Sequence, residues 1–390
     1  MKKKLLLGLA SLTALAVFTS CNDKKADKYT VNVYDIDGEK IGNHKIKVDN
    51  DKTFVEQLTK NANLNSKQGQ YGTEVISIDN SVVDSNYYMA FYVNGEYSQV
   101  GVDLYTPKKG DVVDFKVECW NTVESGYGSL DQTDVLVDKA IYQYVKNYLK
   151  EDFTNDTTFS NYFSYIDYNL MGDVAKNYVT LNSELNSYLD TYDLSKLNED
   201  GRNYGKYYYT AKAYNKDLTN YKTQYKAFLD TLTEMPNFAE FYIPFEVCPA
   251  KELQISSNII NMVSAVDYAP NTEYGYDGAN WWYETLLLLD GFTNETYLEN
   301  ISQADYDNPT SISLSIGSFS ASNINPRDSK YEKDGKDLVE RLLDSYDEDL
   351  GLIKYTEEDT KPVYSTNQIY LGLITYKLQR DNGKAINYFA

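Results

Sequence analysis

Between Tyr29 and Trp120 hydrophobic and polar residues alternate with a period of two, the repeat of strands with one buried face. YTVNVYD predicts a first strand, Asp37-Gly38 a turn, and KIKV the return strand. Over Thr53 to Asn61 the spacing becomes helical, with Phe54, Val55 and Leu58 on one side and Asp51 as candidate cap. EVISID and YYMAFYVNG predict two further strands, the second breaking at Asn94-Gly95, a pair suited to the positive φ angles of a tight hairpin. In DVVDFKVECW, Val113, Phe115, Val117 and Cys119 share a face, while Phe91 and Val93 lie opposite Tyr92 on their own strand. The pattern predicts a small α+β domain over residues 29–121, a sheet covered by one helix.

After GYGSLDQTD the period changes. Leu136, Ile141, Val145 and Leu149 recur at helical spacing behind Asp134 as a candidate N-cap, and TAKAYNKDLTNYKTQYKAFLDTLTEM carries Ala213, Leu218, Tyr221, Tyr225, Phe228 and Leu232 before Pro236. Further helices are expected over 160–189, 253–265, 280–289, 310–321, 335–346 and 366–380. Three segments, YDGANWWYETLLLLDGF, YDNPTSISLSIGSFSASNINP and VYSTNQIYLGLITYKLQ, share a Tyr-containing polar loop, a polar helix start and an apolar helix. Helices this apolar are buried on most sides, as in the inner ring of a double-layered α/α toroid spanning 131–390. An ordinary bundle would bury them equally well. DGKDLVERLLDSYDEDLG, charged on one side, reads as an outer helix.

The first residues alter the setting. MKKKLLLGLASLTALAVFTSC has a basic start, an apolar run to Phe18, small residues and then Cys21. It predicts a lipoprotein signal peptide over 1–20, lipidation of Cys21, and a polar tether over 21–28, placing the protein on the extracellular face of a bacterial cell membrane. The formal charge of −21 disfavours nucleic acid and anionic surfaces as partners, so the lipid supplies the membrane attachment.

With 39 tyrosines beside one histidine, the chain has abundant apolar rings with polar tips but no means of building a histidine triad or a His/Cys metal cluster. The tyrosines suit a carbohydrate or cofactor surface, or equally reflect a composition also rich in Asn, Asp and Lys. Cys119 and Cys248 are expected as two free thiols. The carboxylate runs Asp347-Glu348-Asp349 and Glu357-Glu358-Asp359 read as solvated faces, and Asp277, Glu284 and Asp307 have no fixed mutual spacing for glycoside hydrolysis. No catalytic residue is assigned.

FYVNGEYSQVGVDLYTPKKGDVVDFKV resembles the β domain of transcobalamin and intrinsic factor, through Tyr92 to Gly95, Gly101, Asp103, Tyr105, Gly110 and Asp111. The apolar helices are similar to the inner ring of the α/α barrel in the same proteins and in terpene cyclase-like toroids, although here the β domain comes first. The resemblance implies a corrinoid-like ligand, bulky and amphipathic, held between the β domain and the helix starts. Its contacts would be Tyr92, Asn94, Tyr97, Tyr105 and Trp120 on the sheet side. On the helical side they would be Asn280, Trp281, Tyr306, Asp307, Thr310, Tyr364, Thr366, Asn367 and Gln368. His44 is the sole histidine available to a cobalt, so a corrinoid would keep its own axial ligands. Against this stands a surface module without catalysis that binds a glycan or a protein, with an enzyme on a helical toroid as the less favoured reading.

Overall fold

A computed structural model describes residues 27–81, 84–126, 128–199, 202–233, 252–255, 295–303 and 308–382. Strands β1 (Lys28–Tyr34), β2 (Lys40–Lys47), β5 (Tyr87–Val93), β6 (Glu96–Tyr97) and β7 (Val112–Cys119) form a sheet in the order β2-β1-β7-β5-β6. β1 and β7 are parallel neighbours at its centre, and the other pairs are antiparallel. The alternation places Val31, Val33, Phe91, Val113, Phe115 and Val117 in one core with Phe54 and Leu58 of helix α1 (Phe54–Asn61). Phe54 stacks at 6.3 Å on Phe115, and Phe91 at 5.2 Å on the same ring. The cap of α1 is Thr53, in a reciprocal capping box with Glu56, where Asp51 had been expected; only Thr53 is placed to accept from the third amide of the helix.

A second, two-stranded sheet was not read in full from the sequence: β3 (Leu64–Gly69) pairs with β4 (Gly72–Ile78), the EVISID segment. β3, with the sequence LNSKQG, has no buried residue and so no alternation to detect. Asp103 ties this hairpin to the main sheet by accepting from the backbone N–H of Thr73 and from its hydroxyl at 2.7 Å.

Helices begin at α2 (Gln132–Tyr144), which runs on through a π-helical turn at Val145–Leu149 into α3 (Lys150–Asn155). Its cap is Asp131, and Asp134 is the third helical residue completing a capping box. The expected helix over 160–189 is broken into α4 (Tyr162–Met171), α5 (Asp173–Tyr178) and α6 (Ser183–Thr191). Gly172, at φ +53°, makes the first break, and extended Val179 and Asn182 bound the second. α7 (Arg202–Ala213), α8 (Thr219–Leu229), α9 (Glu295–Gln303) and α10 (Pro309–Ala321) follow. The charged segment expected as an outer helix over 335–346 shortens to α11 (Leu338–Leu343), after which β8 (Tyr346–Asp347) and β9 (Leu352–Ile353) form a small hairpin. α12 (Tyr364–Asn382) closes the described chain.

The layout is therefore a β-rich region followed by a helical one. α10 and α12, two of the apolar helices, lie side by side and parallel: Ser313 donates to the Ile369 carbonyl near their starts, and Gln379 to Asn323 at 3.3 Å near their ends. Gly372 permits this approach, since a Cβ there would overlap the Ser313 carbonyl. α10 is buried on all sides despite its serines, because Ser315, Ser318 and Ser320 return their hydroxyls to carbonyls four residues back. α12 packs antiparallel to α2, with Tyr370 stacked on Tyr144 at 3.9 Å and Tyr376 donating to Asp134 at 2.7 Å. The helix expected over 280–289 lies outside the described residues, as do most of 253–265 and Cys248. Cys119 is a free, half-buried thiol whose pKa burial pushes up.

Candidate functional site

A groove of about 680 Å³ opens beside β5. Its walls are β4 from Thr73 to Ile76 on one side, and β5 with the Tyr97–Val102 segment on the other. Its floor reaches the apolar core at Tyr87, Met89, Phe91, Val102 and Phe115. The groove exists because β6 covers only Tyr92 and Val93 of β5. Below that point the sheet edge meets the β3–β4 hairpin without pairing to it.

Two aromatic side chains flank the mouth, and both are held in place. Trp120 is 46 % exposed while its indole N–H donates to the Ser85 carbonyl at 2.9 Å. Tyr97 is 49 % exposed and stands edge-on to Tyr92 at 5.4 Å. Tyr92 itself is fixed by a 2.8 Å bond from its hydroxyl to Glu118 and by Lys116 over its ring at 4.5 Å. Burial and the Glu118 carboxylate push the Tyr92 phenol up to about 12. Rings fixed in this way offer apolar surface without losing rotamer freedom on binding.

The groove brings together two of the residues expected on the sheet side, Tyr97 and Trp120, with Tyr92 supporting the first. It separates them from two others. Asn94, at φ +53°, accepts from the Val112 N–H at 2.9 Å and donates to Asp111 at 3.1 Å. Tyr105 donates to Asp111 at 2.7 Å and turns its ring onto Phe54 at 4.9 Å and Phe91 at 5.5 Å. Asn94 and Tyr105 thus close the sheet around Asp111. Three donors, the Tyr105 hydroxyl, Asn94 and the Lys108 N–H, outweigh burial and hold the Asp111 carboxyl below its usual value.

The expected arrangement of these residues against the helix starts is not formed among the described residues. Tyr87 opens β5 at the helical region, and the Asn94 turn lies at the strand's other end, about 20 Å away at ~3.3 Å per residue. What meets the helices instead is a polar clamp. The Tyr87 hydroxyl donates to Asp138 at 2.9 Å, and Asp84 accepts from Tyr142 at 2.7 Å and Lys377 at 2.8 Å. At the other end of α2, Lys146 reaches Asp37 at 3.1 Å and Glu39 at 2.6 Å, and Tyr178 donates to Asp35 at 2.8 Å. Arg380 completes the cluster with a 2.7 Å contact to Asp138. Burial pushes the Asp138 carboxyl up, against the pull of Lys377 and Arg380.

Of the helix-start residues, Asn367 bridges three helices: it accepts from Tyr144 at 2.9 Å and donates to Ser164 at 2.7 Å. Thr366 accepts from the Val363 N–H at 2.9 Å. Thr310 and Gln368 are buried on the adjacent, parallel helices α10 and α12. The Thr310 hydroxyl has no hydrogen-bond partner among the described residues. Cys21, Asn280, Trp281, Tyr306 and Asp307 lie outside the described residues, and the Tyr364 side chain is likewise not described. His44 is engaged with Asp79 at 2.5 Å. Among the described residues no group of three acidic, His or Cys side chains is placed to hold a metal ion.

Residues 51–118 match the family described as domain of unknown function DUF4430, a transcobalamin-like domain family. The match includes β3 through β6 and nearly all of β7, and so Tyr97, the Asp111 closure and the groove lining except Trp120. It also takes in α1 and ends before α2. No curated protein matches the chain.

Proposed function

We propose that this chain is a binding protein, anchored by a lipid on Cys21 at the extracellular face of a bacterial membrane, that takes an amphipathic ligand in the β5 groove. The observation that carries this reading is the groove itself: an opening of about 680 Å³ that reaches apolar core residues and is flanked by two pinned, half-exposed aromatic rings. A ligand would set apolar groups on Met89, Phe91 and Val102 and keep polar groups near Gln99, Ser98 and Tyr88. Lys67 and Glu74 pair with each other at 3.2 Å, and Asp84 is held by Lys377, so the groove offers little net charge. The helices, arranged as a toroid with α10 and α12 in its inner ring, serve in this reading as the body on which the β unit is mounted.

The transcobalamin-like match favours a second reading, a corrinoid as the ligand. One set of measurements tests both. Bis-ANS, an amphipathic dye, should bind one per chain, with affinity reduced at least fivefold in Tyr97→Ala and Trp120→Ala variants. Cobinamide or cobalamin that comigrates on size exclusion, and is lost in the same variants, would be a groove ligand. Comigration that these variants leave unchanged would return the corrinoid to the helix starts around Thr310 and Gln368. Dye binding that neither substitution weakens would remove the groove from consideration.

A further inference from the structure

The hydrogen-bond alternation of β5 defines the ligand chemistry further. Asn94 donates to the Val112 carbonyl at one end of the β5–β7 pair, and Trp120 donates to the Asn86 carbonyl at the other. Both belong to one register, so the even-numbered residues of β5 direct their backbone groups at β7. The odd-numbered ones direct theirs at the groove. Ser98 confirms the direction by donating to the Phe91 carbonyl at 2.9 Å. That leaves the Phe91 N–H and both backbone groups of Met89 facing the opening, with no partner among the described residues.

We infer that the groove binds an extended, uncharged peptide segment by strand addition to β5. The inference rests on the groove being the binding site and specifies its occupant. An incoming strand would continue the sheet beyond Ser98, bonding the Met89 backbone and lying within reach of the Phe91 N–H. It would also satisfy backbone groups whose isolation in a partly apolar site is costly. Alternate side chains of the guest would point to Met89, Phe91, Val102 and Phe115, which favours an aliphatic or aromatic residue at every second position. Ser98 sits opposite Phe91, so from Tyr87 to Ala90 the edge has room for about four residues at ~3.3 Å each. The pairing of Lys67 with Glu74 and the capture of Asp84 by Lys377 leave the groove with little net charge, which favours a neutral guest. The rims formed by Trp120 and Tyr97 would cover the guest's two ends.

The test uses the chain from Cys21 onward and a rhodamine-labelled heptapeptide of alternating threonine and valine with a central phenylalanine, followed by fluorescence polarisation. Two further peptides carry N-methyl groups on one or the other alternate set of backbone amides. Strand addition predicts that the unmodified peptide binds and displaces bis-ANS, and that the two methylated peptides differ in affinity by at least tenfold. Equal affinities for the methylated pair would show insertion of side chains without backbone pairing and overturn the inference. So would bis-ANS binding in the groove without peptide binding, which leaves the groove reading standing. Loss of both dye and peptide binding brings down both readings. A concentration-dependent dimer whose formation blocks the dye would identify a second copy as the occupant and also overturn the inference.

Discussion

The ammonium of Lys377, near the end of the last described helix, lies 2.8 Å from Asp84 in the segment that opens strand β5, 293 residues earlier in the chain. The same nitrogen is 3.2 Å from Asp138 on α2, and both it and Asp138 are buried. Burial would push the lysine down, but the three carboxylates of Asp138, Asp84 and Asp381 raise its pKa, so the cation is fixed in the charged state. This contact places one wall of the groove under the control of the helices, since Asp84, Ser85 and Tyr87 all line it.

Replacing Lys377 with Met leaves Asp84 without its cation and Asp138 with Arg380 alone. Removing one partner of a buried ion pair costs about 3–5 kcal/mol. The denaturant midpoint should fall accordingly, and Asp84→Asn combined with Lys377→Met should recover part of the loss. A double variant no better than Lys377→Met would show that Asp138, and not Asp84, dominates the coupling.

Tyr87→Phe removes the hydroxyl that bonds Asp138 and keeps the ring packed against Tyr142 at 6.5 Å. A hydrogen bond to a charged group is worth about 1.5–3 kcal/mol. Equilibrium unfolding should show a loss in that range, accompanied by faster hydrogen exchange at the α2 amides.

The pH dependence follows from Asp84. Burial opposes its ionisation, yet Lys377, Tyr142 and the Asn86 N–H together hold its carboxyl below the usual value. A depressed folded pKa contributes stability that is present above the unfolded value, about 3.9, and is lost as pH falls through the folded one. Between pH 6 and pH 3 the wild-type midpoint should therefore decline more steeply than that of Asp84→Asn. Parallel curves would assign acid sensitivity to other carboxylates.

Gly372→Ala should be strongly destabilising, because its Cβ would meet the Ser313 backbone, which cannot rotate away as a side chain could. Overpacking of this kind costs about 1–3 kcal/mol. Thermal unfolding should report a lower midpoint, whereas Gly101→Ala, with open space around it, should leave the packing unchanged.

Anchorage is tested by Cys21→Ser, which should move the protein from the membrane pellet to the soluble fraction. Retention in the pellet would refute lipidation at that residue.

Strands β1, β5 and β7 were legible because each has a buried face that writes a period of two into the sequence, and α10 and α12 because their long runs are apolar and nearly free of charge. Turn chemistry was legible at Asn94-Gly95 and Gly110, where positive φ angles demand those residues. β3 was not, since an exposed two-stranded hairpin has no apolar alternation. The break at Gly172 was not either, since a glycine within a periodic run is compatible with helix or turn.

The stretch that carries the resemblance holds two kinds of residue. Asn94 and Tyr105 share the pattern of Tyr97 and are spent on Asp111 and the Phe54 core, while Met89, Val102 and Tyr88, which line the groove, read as ordinary strand and loop positions. Nothing local distinguishes them.

The sequence by itself therefore determined the β-then-α order, the core faces and the turns, because these follow from interactions within a few residues along the chain. Only the tertiary structure decided where the opening lies. The groove depends on β6 stopping after two residues and on the Thr73 to Asp103 tie. The clamp that steadies it joins Asp84 to Lys377, and the free energy of such contacts depends on distances between segments that no local pattern encodes.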